Sequence, residues 1–429
     1  NEESARAIAE IIKHKHFFVD TITIQKRKKF PLPPLITSTL QQEAFNKLGF
    51  STTKTMFIAQ QLYEGVELGP EGATGLITYM RTDSVRISDI ALSEIRELIT
   101  EKYGKEYLPE NPPIYKSKAR AQEAHEAIRP SDCFKEPLLL KEYLSADQYK
   151  LYELIWRRAV ASQMKSALYE IISYGIVADE FLFRVAGSKI LFKGFGIVYD
   201  LGSEEEKESL LVLVKGEELV LLDTKPSQHF TKPPARYSEG SLVKALEEDG
   251  VGRPSTYSPV IRTILARNYV HRVKGYLHPS ELGFRVNDML VEYFPKIIDV
   301  EFTARMEDEL DRVEEGSYNW VSVLDEFYQP FKERLDFATK TIKKEIIYTE
   351  EICEQCGKPL VVKWGRRGKF LSCSEYPRCK FSKSIGTKKM CPNEGCGGEL
   401  IERRSSKGMN FYGCSNFPKC RYTSNKLPE

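Results

Sequence analysis

Residues 75–84 read Gly75-Leu76-Ile77-Thr78-Tyr79-Met80-Arg81-Thr82-Asp83-Ser84. The apolar opening, preceded by a glycine-rich stretch from Gly65 to Gly75, predicts a strand over Leu76 to Met80 emerging from a loop. In an extended chain alternate residues share a face, so Tyr79, Arg81 and Asp83 are expected to point the same way. A phenol has a pKa of about 10 and is a weak nucleophile at neutral pH unless a base or cation assists it. A guanidinium two residues away can hold a phosphate oxygen and neutralise charge that develops there. The triple therefore suits phosphoryl transfer to a tyrosine. Tyr and Arg also share a face in many ordinary sheets, so the surrounding sequence has to decide.

Upstream, Ser38-Thr39 precedes helically spaced Leu40, Ala44 and Leu48, with Gly49 at the stop, and a second helix is predicted from Thr53 to Tyr63. Near Ser241 the plan recurs. Leu242, Val243 and Leu246 make one helix, Gly250 and Gly252 a turn, and Ser255 to Ala266 a second helix. Tyr269 to Val273 and Gly275 to His278 then read as a hairpin wing, a nucleic-acid-binding arrangement. The second helix opens with Gly252-Arg253-Pro254-Ser255-Thr256-Tyr257, where Ser255 or Thr256 suits the cap. Free N–H groups there, with Arg253 beside them, would make a phosphate site. A plain capped helix is the simpler reading of the same residues. Between the two plans, Ile171–Ile176, Phe181–Val185, Leu191–Val198 and Glu218–Leu222 read as strands, flanked by helical stretches over Leu139–Met164 and Trp320–Lys343.

The C-terminal end differs in composition. From Glu351 onward the basic surplus is +9, leaving −7 for the rest of a chain whose net charge is only +2. Eight of the nine cysteines lie there too, with Cys133 the exception. They form Cys353-x2-Cys356-x16-Cys373-x5-Cys379 and Cys391-x4-Cys396-x17-Cys414-x5-Cys420. Two near-repeats of four sulfurs in close pairs suit tetrahedral zinc held by four thiolates, with no open position, so the metal is structural. Disulfides are the weaker alternative in a reducing compartment. So short a repeat has little core, and the metal must supply much of its folding energy. Between the sulfurs, Trp364, Phe370, Tyr376 and Phe381, then Phe411, Tyr412, Phe417 and Tyr422, alternate with cations such as Lys363, Arg366, Arg367, Arg403 and Lys407. Rings that stack bases beside cations that follow phosphates are the physics of single-strand binding. Some rings are expected to fill the small core and others to stay on the surface.

The 429 residues, 41% hydrophobic and 29% charged, leave room for two to four domains and exclude collagen-like, mucin-like and fully disordered classes. No apolar run approaches the length of a membrane span, and no signal peptide opens the chain. A soluble intracellular protein is expected. The chain begins at Asn1 within an amphipathic pattern of Ala5, Ile8, Ile11 and Ile12, which suggests a fragment missing its N-terminal part.

Gly75–Ser84 resembles the active-site signature of the type IA DNA topoisomerases, in the Tyr-Met-Arg-Thr-Asp-Ser form of their bacterial branch. Four other segments agree, in the family's order. These are Ser38 to Ala44, Glu123 to Pro130 (Glu-Ala-His-Glu-Ala-Ile-Arg-Pro), Leu242 through Tyr257, and Phe302-Thr303-Ala304-Arg305-Met306-Glu307. The cysteine repeats resemble the family's C-terminal zinc elements. The resemblance covers nearly the whole chain.

It implies a multidomain α+β chain: part of a type IA torus, with a β-rich arch and helical winged-helix-like domains, then two zinc ribbons. Residues 1–38 and 167–236 would form the arch, 39–166 the tyrosine domain and 237–348 the DNA-binding domain. Residues 349–385 and 386–429 would be the ribbons. Tyr79 would attack a DNA phosphodiester, keep a 5′-phosphotyrosine and release a 3′-hydroxyl, with Arg81 positioning the phosphate. His125 and Arg129 would lie near it, and Arg253, Ser255, Thr256 and Arg267 would contact DNA. The implied reaction relaxes negative supercoils without ATP by passing one strand through a gate in the other. Partners would be single-stranded and negatively supercoiled DNA, with RNA polymerase a further candidate, for a cytoplasmic, nucleoid-associated monomer. Two zinc ions are expected. Mg2+ is expected for the complete enzyme, but its ligands belong to a Toprim domain, and no Asp-x-Asp-x-Glu occurs in this sequence. Alone, the chain should therefore bind DNA without turning over. Two relatives are weaker fits: topoisomerase III usually has Pro where Met80 stands, and reverse gyrase adds a helicase. The competing class is a non-catalytic zinc-ribbon and winged-helix module in which Tyr79 is unused.

Overall fold

In the computed structural model, which describes residues 1–115, 125–200, 212–342, 346–365, 368–404 and 410–427, the chain divides into two units, Asn1–Arg334 and Leu335–Glu429. Helix α1 (Glu2–Ile12) is capped by Asn1, whose side chain accepts from the Ser4 N–H at 2.8 Å. Strand β1 (Phe17–Lys29) follows, then α2 (Thr37–Leu48), α3 (Thr52–Glu64) and a minimal hairpin of β2 (Val66–Glu67) and β3 (Ala73–Thr74). Helices α4 (Asp89–Tyr103) and α5 (Ala146–Ser162) lead to β4 (Ala167–Ala178), β5 (Phe181–Phe192) and β6 (Glu218–Leu219). The sheet order is β5-β4-β1-β6, antiparallel throughout.

The first unit continues with α6 (Glu239–Glu248), α7 (Tyr257–Ala266) and a wing of β7 (Val270–Val273) and β8 (Tyr276–Pro279). Then come α8 (Glu281–Tyr293), α9 (Val300–Glu314) and α10 (Trp320–Thr341), the last running across the boundary between units. Helix, turn, helix and wing stand as the sequence predicts. The Phe327 and Phe331 face of α10 meets Phe302 and Phe294, while Leu324 and Leu335, expected on that face, are exposed. The expected end of that helix at Lys343 lies outside the described residues. Among the described residues no helix is long and apolar enough to cross a membrane.

Three expectations change. Phe181–Val185 and Leu191–Val198 are not two strands: β5 runs unbroken to Phe192, and 194–197 is a 3-10 turn. Gly194 ends it with φ +51, where a Cβ would sit 2.5 Å from the Lys165 carbonyl oxygen. The helix predicted from Leu139 begins at Ala146, because Ser145 caps it in a reciprocal box with Gln148. Helix α2 starts at Thr37 rather than after Thr39, which puts Ser38 inside the helix and buries it.

The main core joins Leu40 and Ala44 of α2, Leu62 of α3, Ile95 of α4, and Leu151, Ile155 and Val160 of α5 with Leu76 and Met80. Two buried polar ties hold its rim. Arg158 donates to the Pro33 carbonyl (2.7 Å), the Tyr199 hydroxyl (3.1 Å) and Glu43 (3.3 Å). Tyr199 donates to the other Glu43 oxygen at 2.8 Å, and Lys47 lies 3.8 Å over the Tyr199 ring. The second tie is Glu239, in the first turn of α6 and almost fully buried. One of its oxygens accepts from the N–H (2.9 Å) and hydroxyl (3.0 Å) of Thr52 at the start of α3, and the other pairs with Arg272 on the wing. Helices α2 and α6 approach closely at Gly240, where a Cβ would meet the Gln42 Cα at 3.4 Å.

The second unit is two antiparallel meanders. The first is β9 (Ile347–Ile352), β10 (Pro359–Gly365), β11 (Gly368–Cys373) and β12 (Ser382–Ser384). The second is β13 (Gly386–Met390), β14 (Glu399–Arg404), β15 (Asn410–Cys414) and β16 (Thr423–Ser424). Each has a core of cysteines and one or two leucines: Cys353, Leu360, Leu371 and Cys373, then Cys391, Leu400 and Cys414.

The Glu43 tie predicts a pH dependence. Burial alone would raise the Glu43 carboxyl, but the Tyr199 hydrogen bond and the Lys47 and Arg158 charges outweigh it and hold it below the ordinary value of 4.5. A depressed folded pKa contributes stability that is complete above the unfolded value and lost as pH falls through the folded one. Glu43→Gln should therefore cost about 3 kcal/mol at neutral pH, by leaving Arg158 buried without a carboxylate. It should also flatten the loss of stability below about pH 4.5, as read by urea unfolding at several pH values.

Candidate active site and nucleic-acid interface

Gly75–Ser84 crosses the main core without joining a sheet. The predicted strand over Leu76 to Met80 is absent, and Ile77 makes a single bridge to Pro130. Side chains and a loop take the hydrogen bonds a partner strand would supply. On one side the Thr78 N–H donates to the Arg129 carbonyl (2.9 Å), its hydroxyl to the Ala127 carbonyl (2.7 Å), and the Arg129 N–H to that hydroxyl (3.0 Å). On the other, the Thr37 hydroxyl donates to the Met80 carbonyl at 2.7 Å, and the Thr82 N–H donates to that hydroxyl at 2.9 Å. Gly75 is required by close approach, since a Cβ would stand 2.8 Å from the Tyr63 carbonyl oxygen.

The expected alternation survives the loss of the strand. Met80, Thr82 and Ser84 are 0%, 2% and 3% exposed, whereas Tyr79 is 44% exposed, Arg81 is exposed and Asp83 half-buried. The Tyr79 ring meets the edge of Tyr63 at 5.3 Å between centroids. Among the described residues Arg81 holds no carboxylate, so its charge is available to an anion beside Tyr79.

Glu123 and Ala124 lie outside the described residues. His125 is half-buried, two residues before the Ala127 carbonyl that receives Thr78. Arg129 faces inward. Its guanidinium donates to Glu126 (2.8 Å), the Pro130 carbonyl (2.8 Å) and Ser88 (3.4 Å), and so shapes the loop that holds Thr78.

Helix α7 does not open with an ordinary cap. Thr256 occupies the N-cap position, but its hydroxyl turns back on Arg253, accepting from its N–H at 2.8 Å and donating to its carbonyl at 3.1 Å. Ser255 is exposed. The Arg253 guanidinium is clasped by Asp311 at 2.7 Å, with Asp308 at 3.6 Å and Glu307 at 3.9 Å, and donates to the Gly250 and Gly252 carbonyls. Arg267 follows the last residue of α7 and is exposed. Burial pushes the Tyr257 phenol up to about 12, and the charges of Glu247 and Asp83 add to this. Asp83 therefore lies within electrostatic reach of α7, and Ser258 meets Thr53 of α3 at 3.4 Å.

Sequence reasoning missed Thr37, Thr78 and Asp311. The run of acids after the Phe302–Glu307 motif was the only signal for Asp311, since four carboxylates in five residues require a cation.

In the ribbons each cysteine set converges, all four sulfurs lying within 4.8 Å of one another. Cys353–Cys379 and Cys356–Cys373 are 3.6 and 3.3 Å apart, Cys391–Cys420 and Cys396–Cys414 3.7 and 3.3 Å. A tetrahedron with Zn–S bonds of about 2.3 Å has edges of about 3.8 Å, so both sets fit structural zinc. Gly357 and Gly397, at φ +71 and +57, turn the chain beside the first pair of each. The rings divide as expected. Phe381 and Tyr422 pack on the cysteines, Phe370, Phe411 and Tyr412 are half-buried, and the Trp364 side chain, like Arg366, Arg367 and Lys407, lies outside the described residues. Among the described rings between the sulfurs, the most open are two of those the sequence offered for stacking. Tyr376 and Phe417, 57% and 56% exposed, hold the same place in the two repeats. Lys363 lies 4.3 Å over the first and Arg403 5.5 Å over the second.

The family model for DNA topoisomerase matches residues 1–325, and that for the topoisomerase DNA-binding C4 zinc finger matches residues 350–388 and 388–429. Among solved structures, full-length topoisomerase I from Thermotoga maritima is similar at 37% identity and a TM-score of 0.71. The match covers 94% of this chain and 63% of that one, so the chain spans less than two thirds of the relative's length. The chain thus belongs to the bacterial type IA DNA topoisomerases, carrying their core followed by two C4 zinc ribbons.

Proposed function

We propose that this chain supplies the nucleophile and the single-strand-binding parts of ATP-independent DNA strand passage. The Tyr79 oxygen forms a bond to phosphorus, the bond from phosphorus to the 3′ oxygen breaks, and a proton goes to the released 3′-hydroxyl. The strand's 5′ end then stays on Tyr79. One phosphoester replaces another, so rejoining needs no ATP, and passage of a strand through the open gate relaxes negative supercoils. The observation that carries this reading is Tyr79 and Arg81 exposed on one side of a segment clamped on both flanks by Thr37 and Thr78. Such clamping fixes the phenol before the phosphate arrives. His125 lies on the neighbouring loop as a further contact to DNA. Arg253, Ser255, Thr256 and Arg267 form the proposed contacts around α7, where Arg253 would exchange Asp311 for a phosphate. Arg129 acts here by holding its loop.

No role is assigned to Mg2+ within this chain. Among the described residues the groups able to hold a metal are the two cysteine sets, and no Asp-x-Asp-x-Glu occurs in the sequence. The chain is accordingly proposed to bind single-stranded DNA through its ribbons without relaxing plasmid by itself. Tyr376 and Phe417 are the proposed stacking rings there, alongside Trp364, Phe370, Phe411 and Tyr412.

Tyr79→Phe should abolish the denaturation-resistant protein–DNA adduct in a cleavage assay supplied with a Toprim portion, while oligonucleotide binding persists. An unchanged adduct would assign the chain to the non-catalytic DNA-binding class. Tyr376→Ala with Phe417→Ala should weaken oligothymidylate binding at least about tenfold, since stacking is worth about 1–3 kcal/mol per base. Zinc content, measured by atomic absorption, should be unaltered. Chelation of zinc should unfold the ribbons and remove most single-strand binding, while the Asn1–Arg334 unit keeps its helical circular dichroism.

A further inference from the structure

We infer that Tyr63, in the last turn of α3, is a positioning residue that aims the Tyr79 ring at the phosphate to be attacked. The inference rests on the reading of Tyr79 as the nucleophile and adds the side chain that holds it. Tyr79 is 44% exposed on an irregular segment, so packing leaves its side chain room to turn. The two threonine clamps set its backbone. Its χ1 still has three staggered wells, and each sends the phenol oxygen in a different direction. A contact to the ring itself is what selects among them, and a misaimed nucleophile loses rate.

Tyr63 makes that contact. The two ring centroids are 5.3 Å apart with the planes at 63°, the edge-to-face arrangement that aromatic quadrupoles favour. The backbones that carry the two rings are locked side by side. Leu62, fully buried in the main core, anchors the last turn of α3, and its carbonyl accepts from the Leu76 N–H at 2.7 Å. The Tyr63 carbonyl oxygen in turn lies so near Gly75 that a Cβ there would stand 2.8 Å from it. Between these contacts the β2–β3 hairpin, with Val66 across from Thr74, returns the chain from the helix to the active segment. Tyr63 is itself 40% exposed, so it adds little to the core, and the pair leaves the outer side of Tyr79 open to a DNA strand. The ring, not the hydroxyl, supplies the contact. Phenylalanine at position 63 should therefore serve as well as tyrosine, and leucine should not.

The test uses the full chain supplied with a Toprim portion and measures adduct formation in a single turnover at saturating oligonucleotide. Tyr63→Leu should slow the saturated rate roughly two- to tenfold, the worth of one edge-to-face pair, and leave oligonucleotide affinity unchanged. Tyr63→Phe should keep the rate. Leucine is a good helix former at an exposed position, so the thermal unfolding midpoint should stay in place. A second readout needs no activity. With 3-fluorotyrosine at position 79 of the chain alone, Tyr63→Leu should move the fluorine resonance toward that of the free amino acid, and Tyr63→Phe should not. A saturated rate or a fluorine resonance that Tyr63→Leu leaves intact overturns the positioning role while adduct formation at Tyr79 stands. So does a loss confined to affinity, or one shared equally by Tyr63→Phe. Failure of the unsubstituted chain to form any adduct overturns the nucleophile reading itself, and this inference with it.

Discussion

The hydroxyl of Thr37 carries more of this structure than its size suggests. It donates to the Met80 carbonyl and accepts from the Thr82 N–H, tying the first turn of α2 to the chain on both sides of Arg81. Thr78 does the same toward residues 127–129. An extended segment without neighbouring strands has backbone groups that must be satisfied somewhere. Two threonines supply that satisfaction through side chains, which leaves one face of the segment open. A sheet partner would have flanked Tyr79 and narrowed access to it. The proposed nucleophile thus depends on an irregular backbone held as firmly as a strand.

Which parts were legible follows from where the controlling interactions lie. Cysteine spacing is local, and the ribbons stood in the sequence almost complete. The end of α2 at Gly49 was readable because the cap belongs to the same few residues as the helix. The irregular course of 75–84 was not, because its partners are forty to fifty residues away and act through hydroxyls. β1 was missed for a related reason. Half of it is polar, and its strand character comes from pairing with β4 rather than from a hydrophobic pattern. Helices α4, α8 and α9 drew no notice beside the motifs.

The candidate site divided along the same line. The shared face of Tyr79, Arg81 and Asp83 followed from period two and needed no tertiary knowledge. The state of the arginines did not. Arg129 and Arg253 read as cations ready for phosphate, yet one shapes a loop and the other lies against Asp311. In the ribbons, the half-buried Phe370 and Phe411 and the open Tyr376 and Phe417 look alike in sequence. The difference arises where the chain leaves the strand for the second cysteine pair.

Glu239 has a consequence for how the helices α3 and α6 can separate. Its two oxygens serve the first N–H and hydroxyl of α3 and the wing arginine at once, with Glu239 and Thr52 buried and Arg272 reaching solvent. Prising the helices slightly apart would strand the Thr52 donors and the Glu239 oxygen between them before solvent could reach that buried contact, so a partial gap is costlier than a wide one. The junction therefore behaves as a snap fastener: it resists small strains, then lets go in a single step and can re-form in register.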